Sequence, residues 1–106
     1  MVLPEDEVHV AERGGIVVGF AAIEGGRLEH LYVRPDQQGT GVGSRLLDEA
    51  KRSRPDGLDL WTFQRNAAAR RFYEARGFVE IESTDGERNE EHEPDVRYEW
   101  PGRASS

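Results

Sequence analysis

Short apolar runs separated by glycine pairs make up the first third of the chain, and this pattern is typical of β-strands. Gly14-Gly15 and Gly25-Gly26 both predict tight turns, because glycine readily adopts the positive φ that such turns need. Pro35 ends the last run. The pattern therefore predicts an antiparallel meander of strands at residues 8–13, 16–24 and 28–33.

The spacing of apolar residues becomes helical after Gly41. One face of this predicted helix carries Val42, Leu46, Leu47 and Ala50. Pro55 and Gly57 end it, and an apolar run at 58–63 predicts the next strand. A helix between two strands indicates a crossover connection, so we expect the strands on either side of it to pair in parallel.

The rest of the chain predicts a shorter helix and two more strands. Asn66 is a favoured N-cap and Gly77 a favoured helix-ending residue, so the second helix should span 66–76. Strands follow at 78–83 and 96–100, separated by a charged loop at 84–94. The predicted fold class is therefore α/β (α+β), with a mixed, mostly antiparallel sheet and two main helices. We expect one domain over residues 1–100 and a disordered tail over 101–106.

Composition narrows the classes of protein that fit. The 106 residues contain 14 Lys and Arg against 21 Asp and Glu, a net charge of −7, which argues against a nucleic-acid partner. The chain has no cysteine, which excludes disulfides and fits a cytoplasmic location. We expect no membrane partner, because no segment is long and apolar enough to span a bilayer. His9 and His92 suggest no metal site, since no cluster of carboxylates and cysteines lies near them.

A glycine-rich segment opens the first predicted helix, and it is the strongest functional signal in the chain. Its sequence is Gln38-Gly39-Thr40-Gly41-Val42-Gly43-Ser44. Glycines at alternate positions leave backbone N–H groups uncovered, and the positive end of the helix dipole points at the same loop. The segment therefore predicts a binding site for an anionic phosphate group.

Two common phosphate-binding motifs fit this segment poorly. A Walker loop needs a lysine after the glycines, and none follows here. A dinucleotide fingerprint needs a third glycine where Ser44 stands, and it should follow the first strand of a βαβ unit rather than a meander. A nucleotide-binding domain is thus disfavoured.

The segment instead resembles the pyrophosphate loop of the GNAT family of acyl-CoA-dependent N-acetyltransferases, which reads Gln/Arg-x-x-Gly-x-Gly/Ala. The preceding Leu31-Tyr32-Val33-Arg34-Pro35 looks like the family's central strand, and 66–78 looks like its second cofactor helix. The last strand is also similar, so the likeness covers about residues 8–100. It implies two splayed central strands, acetyl-CoA as co-substrate without a metal, and acetyl transfer to a primary amine of a small molecule or protein.

The resemblance also implies which residues hold the cofactor. Leu31, Tyr32 and Val33 would offer backbone groups to the pantetheine arm, and the glycine loop would bind the pyrophosphate. The full set of cofactor positions is Leu31, Tyr32, Val33, Gln38, Gly39, Thr40, Gly41, Val42, Gly43, Ser44, Asn66 and Tyr73. Arg65, Arg70 and Arg71 either serve the 3′-phosphate or are simply solvated, and the sequence leaves both open.

Tyr73 matches the family position that often protonates the departing thiolate. Its phenol is protonated at neutral pH, so it can donate to sulfur, and Phe72 is the better core residue of the pair because it has no hydroxyl to satisfy. For the general base we predict Glu29, with His30 second. Some family members carry the base two residues earlier, where this chain has Arg27.

Strict alternation along 28–33 would place Glu29 on one face of the strand with Leu31 and Val33. His30 would then share the other face with Leu28 and Tyr32.

GNAT domains usually begin with a strand and two helices before the hairpin that starts at Val8 here, and residues 1–7 are too few to supply them. Two hypotheses follow. The acceptor cleft is open to a large substrate or completed by another subunit, and an exposed apolar sheet face favours a homodimer. The alternative to an enzyme is a non-catalytic acyl-CoA-binding or assembly module.

Overall fold

The computed structural model describes residues 6–103. Its elements are β1 (Asp6–Arg13), β2 (Ile16–Glu24), β3 (Arg27–Val33), a 3-10 turn (Pro35–Gln37), α1 (Val42–Ser53), β4 (Leu58–Phe63), α2 (Ala67–Glu74), β5 (Val79–Thr84) and β6 (Asp95–Trp100). The predicted fold class, with its mostly antiparallel sheet and two main helices, is confirmed. The 3-10 turn begins at Pro35, the residue expected to end the third strand, and the second helix ends two residues earlier than predicted.

The six strands form one sheet in the order β1-β2-β3-β4-β6-β5. All neighbouring strands are antiparallel except β3 and β4, which are parallel, as the crossover predicts. The parallel pair has a single register position, Arg27 opposite Asp59. Beyond it the two strands pair no further, so the sheet consists of two halves that splay apart at its centre.

The hydrophobic core lies between the sheet and α1. The apolar face of α1, composed of Val42, Leu46, Leu47 and Ala50, is at most 5% exposed. It packs against the buried residues of β2, and Gly19 of that strand allows the close approach. A Cβ at Gly19 would lie 2.7 Å from the Tyr32 carbonyl oxygen and 3.2 Å from Leu46, so a side chain there would collide with both β3 and α1.

The opposite face of the first half of the sheet is apolar and uncovered by any described residue. Val8 and Val10 of β1 are 58% and 50% exposed. Val10 pairs with Phe20 and Phe20 with Tyr32, so the three lie in one row across the strands. The Phe20 and Tyr32 ring centroids are 5.7 Å apart. This matches the exposed sheet face expected from the sequence.

A β-bulge interrupts β3. Ile23 pairs with Leu28 but Ala22 pairs with His30, so Glu29 has no partner of its own on β2. The strict alternation predicted along this strand is therefore wrong. Leu28 and Leu31 both reach the core side, whereas His30 and Tyr32 are exposed.

Strand β1 is fixed to the end of α1 by a polar cluster around Glu7. The Glu7 carboxylate accepts hydrogen bonds from Arg54 Nη1 and Ser53 Oγ, both at 2.8 Å. His9 lies 2.8 Å from Glu7 and 3.3 Å from Glu49. The hydrogen bond from Arg54, followed by those from Ser53 and His9, lowers the pKa of Glu7 from 4.5 to about 2.

This cluster predicts a pH-dependent contribution to stability. Because folding lowers the Glu7 pKa, the stabilisation is complete above about pH 4.5 and is lost as the pH falls through about 2. Glu7→Gln should lower the free energy of unfolding at pH 7 by about 1 kcal/mol, a discounted value because the carboxylate is 34% exposed. Urea unfolding of both proteins at pH 7 and pH 2.5 measures this difference in stability. The variant should approach the wild type at the lower pH, and an unchanged difference would contradict the assignment.

The chain after β6 turns back to the segment between α1 and β4. Gly102 is buried beside the backbone of Pro55 and Asp56, and the Arg103 N–H donates to the Pro55 carbonyl at 2.9 Å. The rest of the predicted tail, 104–106, lies outside the described residues, as do residues 1–5. Within the described part of the chain, neither helix is long and apolar enough to cross a membrane.

Candidate active site

The splay between β3 and β4 opens the sheet beside α2, and two adjacent cavities lie there. The first is a groove of 530 Å³ between the glycine loop, β3 and α2. It is lined by Leu31, Val33, Gln38, Gly39, Gly41, Gly43, Ser44, Ala68, Ala69, Phe72, Tyr73 and Arg76. Eight of the predicted cofactor positions therefore line one groove, although they come from three separate parts of the chain.

The glycine loop presents unpaired backbone donors to this groove. The first bond of α1 runs from the Arg45 N–H to the Gly41 carbonyl at 3.0 Å, so the N–H groups of Val42, Gly43 and Ser44 have no acceptor within the helix. Gly39 and Gly41 adopt φ of 80° and 94°, a left-handed conformation that favours glycine. The loop thus fits an anionic phosphate ligand, as expected from its sequence.

Gly43 serves a different purpose, since its φ is not positive. A Cβ there would lie 3.4 Å from Phe72 Cζ and 3.5 Å from Val33 Cγ2. Phe72 packs on the core, as predicted, and also lines the groove, so the two aromatic residues do not divide between core and site. Both rings contact the core and both border the groove.

Arg76 is the cation of the groove, and sequence reasoning missed it. Its Nε and Nη2 donate to Ser44 Oγ at 2.9 and 2.7 Å, and its guanidinium carbon lies 3.9 Å from the Phe72 ring centroid. Lys51 of α1 donates to the Arg76 carbonyl and holds the backbone in place. The spacing of residues 69, 72, 73 and 76 is helical, and it could have indicated this shared face.

The three arginines considered for the 3′-phosphate do not line the groove. Arg65 pairs with Glu93, and Arg70 donates to Glu80 and to the Tyr98 hydroxyl at 2.8 and 3.0 Å. Arg71 is exposed on the outer side of α2. The structure therefore favours a solvated or structural role for all three side chains.

The second cavity, of 560 Å³, lies between the splayed strands and continues from the groove. It is lined by Leu28, Glu29, His30, Leu31, Leu60, Trp61, Thr62, Phe63, Asn66, Ala69, Tyr73, Glu91 and Asp95. Leu31, Ala69 and Tyr73 line both cavities. The junction between the two spaces is thus at Tyr73.

Tyr73 is half-buried at this junction, with its ring 5.3 Å from Phe72 and 5.5 Å from Phe78, centroid to centroid. Burial raises the pKa of Tyr73 to about 12. The hydroxyl is therefore protonated at any physiological pH, and it makes no hydrogen bond to another described residue. It is available to donate to a group at the junction.

The remaining predicted site residues lie outside the groove. Asn66 is the N-cap of α2, where its Oδ1 accepts from the Ala69 N–H at 3.1 Å, and it borders the second cavity rather than the groove. Glu29 and His30 are exposed at the mouth of that cavity. The predicted cofactor positions Tyr32, Thr40 and Val42 are not among the residues that line the groove.

Among residues 6–103, no group of three or more His, Asp or Glu side chains is arranged to hold a metal ion.

The model of the acetyltransferase (GNAT) domain matches residues 4–80. The chain belongs to the GNAT acetyltransferase family. An uncharacterised N-acetyltransferase of Archaeoglobus fulgidus is 33% identical to this GNAT chain over 95 residues, covering 74% of this chain and 64% of that protein. The L-methionine sulfoximine/L-methionine sulfone acetyltransferase of Salmonella typhimurium is 36% identical over 85 residues, covering 68% and 50%. This GNAT chain therefore spans between half and two thirds of these relatives.

Solved GNAT structures have the same fold. A Bacillus anthracis protein assigned as a streptothricin acetyltransferase, solved in complex with acetyl coenzyme A, superposes with a TM-score of 0.84 at 23% identity. The match covers 95% of this chain and 65% of that one. At this identity the likeness concerns the arrangement of strands and helices alone.

Proposed function

We propose that this protein transfers the acetyl group of acetyl-CoA to a primary amine by direct attack. The observation that carries the proposal is the junction at Tyr73, where a groove suited to a phosphate-bearing cofactor meets a second cavity open to an acceptor. A thioester seated along the groove would end at this junction. Holding two reactants in contact in this way supplies much of the rate of a bimolecular reaction.

The reaction needs a group that accepts the proton of the amine, groups that bind the thioester, and a group that stabilises the leaving thiolate. The amine nitrogen attacks the carbonyl carbon of the thioester, the carbon–sulfur bond breaks, and the amine loses a proton. We assign the uptake of that proton to Glu29, directly or through water, with His30 as the second candidate, because both lie at the mouth of the acceptor cavity. The unpaired edge of β3 beyond Arg27 offers backbone groups to the thioester and its pantetheine arm.

Tyr73 acts on the sulfur that leaves. A thiol has a pKa near ~8.5, whereas burial raises the Tyr73 pKa to about 12, so complete proton transfer from the phenol to the thiolate is unfavourable. A hydrogen bond from the phenol to the developing thiolate stabilises the negative charge without requiring proton transfer. We therefore assign Tyr73 to hydrogen-bond stabilisation of the thiolate, a refinement of the general-acid role predicted from the sequence.

The thermal midpoint with and without acetyl-CoA tests the cofactor part of the proposal. Acetyl-CoA at 100 times its Kd should stabilise the protein by about 2.7 kcal/mol, or roughly 10 °C for a domain of this size. ATP at the same concentration is the control. We expect Arg76→Met to weaken acetyl-CoA binding about tenfold, since it removes the cation of the groove, and Arg71→Met on the outer face of α2 to leave it unchanged. No shift with acetyl-CoA, or an equal one with ATP, would overturn the cofactor assignment.

We also propose that the exposed face of β1, β2 and β3 forms a homodimer interface, which the exposure of Val8, Val10 and Tyr32 supports. Analytical ultracentrifugation should show a dimer at micromolar concentration that Val10→Lys dissociates. Monomer throughout the concentration range would refute the interface. The cytoplasmic location predicted from the cysteine-free composition stays a prediction.

A further inference from the structure

The acceptor cavity is strongly acidic. Three carboxylates line it, from different parts of the chain: Glu29 from the bulge of β3, Glu91 from the loop before β6, and Asp95 from the start of β6. No lysine or arginine is among the lining residues. The cavity itself, with Tyr73 at its inner end, defines the site, and the carboxylates determine which charge a ligand there should carry.

None of these carboxylates forms an ion pair within the described chain. Asp95 accepts only from the neutral donors Thr84 Oγ1 and Asn89 Nδ2, and neither Glu29 nor Glu91 lies within 4 Å of a basic group among residues 6–103. Three negative charges that face one space repel each other and attract a cation.

The nearby arginines are already engaged by other carboxylates. Arg97 pairs with Asp59 and Glu82 at 2.9 and 3.0 Å, and Arg27 pairs with Asp59 at 2.9 Å. Arg65 pairs with Glu93. Arg27 interacts electrostatically with Glu29 from outside the cavity, but no lysine or arginine lies in the lining to pair with a carboxylate-bearing acceptor.

Two aromatic side chains, Trp61 and Phe63, also line the cavity. Trp61 is 37% exposed, and Phe63 lies opposite Asp95 in the register of β4 and β6. Aromatic surfaces of this kind can pack against a methylene chain. The faces of the rings also attract ammonium groups. The volume of 560 Å³ lies in the range typical of small-molecule sites.

We propose that the acceptor is a small linear polyamine. One primary amine reaches the junction at Tyr73, where Glu29 takes up its proton. A second ammonium group binds near Glu91 and Asp95, with the methylene chain along Trp61 and Phe63. This inference rests on the proposed acetyl transfer for the role of the first amine. The binding of the second ammonium group depends only on the cavity.

Binding is measured first, by isothermal titration of spermidine into the protein without acetyl-CoA. We expect Glu91→Gln to weaken the spermidine Kd about fivefold, because it removes one unpaired charge, and the affinity to fall with added salt. Glu90→Gln is the matched control, since Glu90 is an exposed neighbour in the same loop that does not line the cavity. Absence of spermidine binding, or equal effects of both variants, would overturn the inference.

Turnover is measured second, as CoA release with three matched amines. Cadaverine has two ammonium groups, pentylamine has one, and lysine adds a carboxylate to the cadaverine framework. We expect kcat/KM to be at least tenfold higher for cadaverine than for either of the others. Equal use of lysine or pentylamine would contradict the inference. A protein that binds spermidine but shows no acetyl-CoA shift would instead overturn the proposed acetyl transfer alone.

Discussion

Tyr73→Phe should lower kcat about 100-fold and leave the Kd for acetyl-CoA within about twofold. The phenol is held at the junction of groove and cavity, is protonated because burial raises its pKa to about 12, and makes no hydrogen bond to another described residue. The variant keeps the ring and its contacts with Phe72 and Phe78. It therefore removes a hydrogen bond made only as the thiolate develops.

The measurement pairs steady-state CoA release with acetyl-CoA titration, so that turnover and binding are separated. Tyr32→Phe is the control, because it makes the same chemical change on the opposite, exposed face of β3. Wild-type turnover in Tyr73→Phe would refute the role given to the hydroxyl. A protein that binds acetyl-CoA and releases no CoA with any amine would be the non-catalytic acyl-CoA-binding module.

Leu47→Ala should lower the free energy of unfolding by about 3 kcal/mol, which is a large fraction of the total stability of a domain this small. Leu47 is fully buried on the face of α1 that packs against the sheet, so truncation leaves a cavity that the sheet cannot collapse to fill. The effect should reach the site too, because the glycine loop is the beginning of this helix.

Urea unfolding monitored by circular dichroism measures this loss. Asp48→Ala, at the exposed neighbouring position of α1, is the control and should change stability by less than about 0.5 kcal/mol. A loss below about 1 kcal/mol for Leu47→Ala would mean that α1 is held to the sheet more loosely than the buried surface indicates.

The order of strands and helices was predictable because its signals are local. Glycine pairs mark both turns of the meander, and the change from strand to helical spacing after Gly41 locates α1 to within a residue. The glycine loop was also predictable as a phosphate-binding site. Such a site depends on backbone N–H groups at the start of a helix, which the glycines and the helical spacing indicate. The family resemblance then gave the splay between the two central strands, which no local pattern contains.

The rest depends on tertiary packing. The bulge at Glu29 places Leu28 and Leu31 on the same side of β3, and only the pairing with β2 reveals it. Phe72 and Arg76 reach the groove because the end of α2 lies against Ser44 and Gly43, which are distant along the chain. The acidic character of the acceptor cavity likewise arises where three separate segments meet, as Glu91 and Asp95 approach β3 only in the folded sheet.

The single register position between β3 and β4 also affects how cooperatively the protein unfolds. The two halves of the sheet share few backbone hydrogen bonds, and the ion pair of Asp59 on β4 with Arg27 on β3 joins them at one end. A ligand in the groove contacts Leu31 on one half and Phe72 on the other. Such a ligand would connect the two halves where no backbone hydrogen bonds do. We therefore expect occupancy of the groove to make the two halves of the sheet unfold more cooperatively.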